Sequence, residues 1–249
     1  PPPLSGLLND PAGPFAHDTI TNRLPLAILS RTVRLNAHEL SRCAQSERNL
    51  QVLIGTLIDG DNQLIALPLV DTAADLDQWW VRHMEPMISR GMTWTQAPWF
   101  TSETLAYRHA LAAIGYYDQT RLLYGYDLFG SEKWEGLSSS LPRLRELVAE
   151  HEHDAAIALE RKAFFPVLIS LLHASLWGNQ ADSSLWTAGA HPELADGSLI
   201  GSDTDGGSSD RVLVDDSAVL AAELLAGDTS ARGRIVLVCD NSGMELVCD

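Results

Sequence analysis

Near its C-terminal end the chain runs Ile235-Val-Leu-Val-Cys239 and then turns polar at Asp240-Asn241-Ser242-Gly243. A short, continuous, β-branched run reads as a strand buried on both faces of a parallel sheet. Open α/β sheets place their ligands at the carboxyl ends of such strands. Asp240 offers an anionic oxygen and Asn241 a neutral carbonyl oxygen, a hard donor pair suited to Mg²⁺ or Mn²⁺. Gly243 lets the backbone approach a phosphate closely. Asp-Asn-Ser-Gly is also ordinary turn chemistry, so the residues alone leave a ligand site and a polar turn both standing.

Other constellations have a simpler structural reading. Trp177-Gly178-Asn179 and Asp182 follow an apolar helical stretch, where Gly178 ends a helix and the polar residues face solvent. Glu103 and Tyr107 stand one helical turn apart with Arg108 beside them, which suits either an anion-reading arginine or, more simply, packing with an ion pair. His151 and His153 are two residues apart and therefore point to nearly opposite faces of a helix, whereas a helical zinc pair needs a spacing of four. Asp203-Thr-Asp205-Gly-Gly has the wrong spacing for a calcium loop. Cys43, Cys239 and Cys248 make no Cys-x-x-Cys pair and no disulfide framework. Neither a Walker loop, nor a Gly-rich dinucleotide fingerprint, nor a Gly-x-Ser-x-Gly elbow occurs.

Helical periodicity dominates the elements that must position these residues. Leu24, Ile28, Leu29 and Val33 repeat as a buried stripe, and Leu50, Leu53, Ile54 and Leu57 form another, capped by Ser46 and ended by Asp59-Gly60-Asp61-Asn62. Thr101 is the expected cap of a helix through Leu105, Ala106, Ala110 and Ile114. A further helix is expected from Ser140, with Pro142 in its first turn. Another, from about Ala163 to Leu176, is apolar nearly all round and so expected to be buried. Ile65 to Val70 is ambiguous between strand and linker. Beyond an acidic, Gly- and Ser-rich loop at 193–216, Arg211 to Asp215 reads as a strand edge and Ser217 to Ala226 as a helix. The order predicts an α/β protein: an N-terminal α-helical domain over 1–165, then the first part of a Rossmann-like α/β/α domain over 166–249.

Composition narrows the function classes. The formal net charge is −16, from 17 Lys plus Arg against 33 Asp plus Glu. A surface that tracks phosphate backbones needs a basic stripe, so no nucleic-acid partner and no anionic membrane partner is expected. No apolar run reaches the length of a membrane span. Cysteine usage suggests a reducing, cytoplasmic compartment.

Taken in order, Pro98-Trp99-Phe100, Glu103, Tyr107-Arg108, Asp127-Leu-Phe129 with Lys133, Leu176-Trp177-Gly178-Asn179 with Asp182, Val214-Asp215-Asp216, and Asp240-Asn241-Ser242-Gly243-Met244-Glu245-Leu246 resemble the damage-control phosphatases. The resemblance runs from about residue 15 to the end, and the Asp-Asn-Ser-Gly-x-Glu-Leu stretch is its most specific part. That family comprises metal-dependent sugar-phosphate phosphatases, in a branch once described as acidic-residue carboxyl methyltransferases. The resemblance implies a divalent metal (Mn, Co, Ni or Mg) held by Asp240 and Asn241, both facing a small phosphorylated substrate, with Asp240 catalytic. It makes Asn179 and Asp182 pocket residues and Glu245 either a supporting group or the cap of a following helix. It leaves open whether water or Asp240 attacks phosphorus. The family completes its site with a later aspartate and an Arg-Thr-x-Lys motif. Neither occurs before Asp249, so a longer protein is expected to supply them. Two competing readings are an S-adenosylmethionine-dependent protein carboxyl methyltransferase, for which no convincing Gly-rich turn is present, and a binding module without activity.

Overall fold

The computed structural model describes residues 14–64, 74–157, 161–178, 212–226, 234, 236–239 and 246. From Pro14 to Leu35 the backbone is helical without a break, but its winding changes twice. A first α-turn, α1 (Pro14–Asp18), passes into a π-helix over Thr19–Leu29 and then into α2 (Ser30–Leu35). Pro25 accounts for the wider winding. Its ring clashes with the carbonyl four residues back and it has no N–H to donate, whereas i−5 spacing relieves the clash. Ser30 closes the stretch, donating both its backbone N–H and its hydroxyl (2.7 Å) to the Pro25 carbonyl.

The stripe Leu24, Ile28, Leu29 and Val33 is buried as its periodicity predicts. Against it pack α4 (Ala44–Asp59), through Leu50, Leu53, Ile54 and Leu57, and α6 (Trp99–Ile114). Ala106 and Ala110, both fully buried, give α6 a flat face that lets its neighbours approach closely. Each large aliphatic side chain sealed here contributes about 1.5–3 kcal/mol. The short α3 (Ala37–Ser41) links α2 to α4. Cys43, not Ser46, occupies the cap position of α4. Ser46 lies inside the first turn, fully buried, with its hydroxyl 3.0 Å from the Cys43 thiol.

Gly60 ends α4 at φ +64°, where a Cβ would come within 2.8 Å of the Thr21 methyl and 2.9 Å of the Thr95 methyl. From there residues 60–64 run alongside 92–95. The Leu64 N–H donates to Met92 O at 3.0 Å, Trp94 N–H to Asn62 O at 3.2 Å, and Gln63 bridges Thr93 antiparallel. This clasp closes the base of the segment that carries α5 (Ala74–Ile88).

Asn36 is the polar centre of the helical unit. At 2% exposure, its Nδ2 donates to Thr32 O and Leu128 O, both at 2.8 Å, and its Oδ1 accepts the Tyr126 hydroxyl at 2.6 Å. Burial, with Glu39 and Asp127 nearby, pushes the Tyr126 hydroxyl up from its ordinary range, so at neutral pH it remains a donor.

The chain divides into two compact units at Ser131/Glu132. In the second lie most of α7 (Gly130–Ile157), then α8 (Arg161–Gly178) and α9 (Ser217–Ala226), with α9 packed on α8. α7 starts ten residues earlier than its sequence suggested, so Pro142 lies in its interior. α8 is present as expected, yet of its described side chains only His173 is buried, and Leu176 is largely exposed.

The expected α/β architecture, with a Rossmann-like α/β/α second domain, is overturned. The described residues are mostly helical and contain no sheet. Val236, Leu237 and Val238 are 73%, 68% and 90% exposed without regular structure. A strand of a parallel sheet would hide both faces against helices. Of the expected strand edge Arg211 to Asp215, the described part, Val212 to Asp215, is an irregular and largely exposed lead into α9. Among the described residues no helix is long and apolar enough to cross a membrane.

Candidate functional site

Asp240, Asn241, Asp182 and Glu245 lie outside the described residues, as does Asn179. Their nearest described neighbours are Gly178, the last residue of α8, Cys239, which is exposed, and Leu246, beside Glu245. The structure therefore neither brings the four predicted site residues, Asp240, Asn241, Asn179 and Asp182, together nor separates them. It does describe the other motif segments in detail.

In the helical unit, Pro98 rather than Thr101 caps α6, with extended backbone (φ −54°, ψ 133°). Ser102 in the first turn donates its hydroxyl to Trp94 O at 2.8 Å, tying the helix start to the buried Trp94. Glu103 pairs with Arg23 of the π-helix at 3.1 Å, both side chains being more than four-fifths buried. Arg108, 5% exposed, lays its guanidinium 3.8 Å above the centre of the Tyr117 ring. Tyr107 meets Phe129 edge-on at 5.5 Å. Asp127 folds its own loop, accepting the Phe129 N–H on its carboxylate at 3.0 Å and the Gly130 N–H on its carbonyl at 3.0 Å. These two motif segments thus do packing and ion-pair work that holds the helical unit together.

The second unit contains a cluster that sequence reasoning missed. His173, on α8, places Nε2 3.1 Å from Asp215 Oδ2 and 3.2 Å from the Ser217 hydroxyl. The Ser217 N–H donates to Asp215 Oδ1 at 3.0 Å. Hydrogen bonds from the Ser217 side chain and backbone, opposed by some desolvation and helped by His173, hold the Asp215 carboxyl below the usual carboxylate range. An ionised carboxylate only accepts, so His173 must carry its proton on Nε2. The residue types match a hydrolytic triad but the geometry does not. In a triad the carboxylate and the hydroxyl engage opposite ring nitrogens, so that a proton passes through the ring. Here both face Nε2, and Ser217 is not activated. The signal available in the sequence was Val214-Asp215-Asp216 before a helix. Its histidine partner is 42 residues away along the chain, beyond any local pattern.

Among the described residues no group of three or more His, Cys, Asp or Glu side chains is arranged to hold a metal ion. The residues whose chemistry fits one are still Asp240 and Asn241, a hard oxygen pair.

Comparison with known proteins places the whole chain. The damage-control phosphatase ARMT1-like domain matches residues 23–249. Damage-control phosphatase ARMT1 from Rattus norvegicus is 28% identical over 256 aligned residues, covering 95% of this chain and 56% of that protein. The Danio rerio protein of the same name is 25% identical over 264, covering 95% and 56%. The Homo sapiens protein is 25% identical over 274, covering 100% and 58%. The chain thus spans little more than half the length of these curated relatives. With nearly all of its length matched, motif segments included, the chain belongs to the damage-control phosphatase ARMT1-like domain family.

Proposed function

We propose that this chain forms part of a metal-dependent phosphatase that hydrolyses small phosphomonoesters, either sugar phosphates of the fructose phosphate type or damaged phosphometabolites. The observation that supports this reading is the family match through residue 249, which takes in the Asp240-Asn241-Ser242-Gly243-Met244-Glu245-Leu246 stretch. The relatives named damage-control phosphatase are longer proteins, so the activity is proposed for the complete protein.

Asp240 and Asn241 would hold the divalent cation, Mn²⁺, Co²⁺, Ni²⁺ or Mg²⁺, through one anionic and one neutral oxygen. When bound, such a cation neutralises charge developing on the phosphoryl oxygens. A chain of net charge −16 repels a phosphate ester at long range, so the local positive charge at Asp240 must come from the ion and from cationic side chains. Asn179 and Asp182, just past the end of α8, are proposed to hydrogen-bond substrate hydroxyls.

The test is phosphate release from a panel of sugar phosphates by the full-length protein with each of the four metals, beside Asp240→Ala. Metal-dependent release that falls by about 10²–10³-fold or more in the variant supports the reading. Release that survives Asp240→Ala removes Asp240 from the site, and no release with any metal overturns the phosphatase reading.

A further inference from the structure

We draw no further inference here: the strongest candidate, the apolar surface of α9 in the second unit with Val219, Leu220 and Leu224 exposed, carries none, because nothing in the structure shows what covers it.

Discussion

Replacing Asn36 by alanine tests whether one amide holds the Asp127-Leu128-Phe129 loop in the helical unit. Its two Nδ2 bonds and one Oδ1 bond disappear together, but their losses are unequal. Thr32 O keeps the backbone N–H of residue 36 at 3.1 Å, so it is not orphaned. Leu128, 1% exposed, loses the Asn36 donor at its carbonyl in a sealed position, which costs about 1–3 kcal/mol. Tyr126 is half-buried and reaches water, so its loss is about 0.5–1.5 kcal/mol. The expected destabilisation is therefore about 1.5–4.5 kcal/mol, equivalent to roughly 10- to 2,000-fold faster exchange through unfolding of this unit. Because the chain has two units, a single denaturation midpoint would mix them. The informative amides are those of Leu40, bonded to Asn36 O at 2.9 Å, and of Phe129 and Gly130 in the loop. Asn36→Asp keeps the acceptor for Tyr126 but sets a carboxylate against the Leu128 carbonyl, and should be at least as damaging. A loss below about 1 kcal/mol in Asn36→Ala, or an aspartate tolerated better than alanine, would refute the single-amide account.

Glu103→Gln breaks the largely buried pair with Arg23 and should cost about 2–3 kcal/mol, read as faster exchange in both the π-helix and α6. Gly115→Ala should cost about 2 kcal/mol or more, read in the same way. Residue 115 ends α6 at φ +80°, and an added Cβ would sit 2.7 Å from Arg121 Cγ. The lowered Asp215 pKa fixes the sign of a pH dependence. The stabilisation that the Asp215 carboxylate gives the start of α9 is fully present above the ordinary carboxylate value and is lost as pH falls through the lower folded-state value. Protection of the Ser217 amide should follow that course on acidification, and Asp215→Asn should abolish the dependence.

The helical unit was legible because its signals are local. The stripes in the π-helix and in α4 follow from spacing alone, and Gly60 marks a true helix end because only glycine sits easily at its φ. Local chemistry also misled where two residues competed for one role. Ser46 has the better capping side chain, but its burial beneath Cys43 turns it inward, and Pro98 pre-empts Thr101 at the start of α6. The exposed stretch Val236–Val238 failed for a different reason. A β-branched run reports that a segment can pair and be covered, whereas the partners that would cover it are a property of the rest of the fold. His173 shows the reverse case: a single histidine in an apolar helix, marked by no local pattern, is the polar contact between α8 and α9. The motif from Asp240 to Leu246 was recognised from residue types and order, and all of it but Leu246 lies outside the described residues.

The clasp between residues 60–64 and 92–95 separates the length of a segment from the integrity of the core. The bonds of Leu64 to Met92 and of Trp94 to Asn62 fix where the chain leaves and returns, while α5 itself seals the core with Met84, 3% exposed, and packs Trp80, Met87 and Ile88 against it. Closing a longer excursion costs little, about 0.6 kcal/mol for each doubling of length. Length inserted between Leu64 and Ala74, ahead of α5, is accordingly expected to enlarge a closed loop without retuning Asn36, Trp94 or the seating of Met84. Evolution has a free margin there, and so does an engineer who needs a tag or a reporter inside the chain.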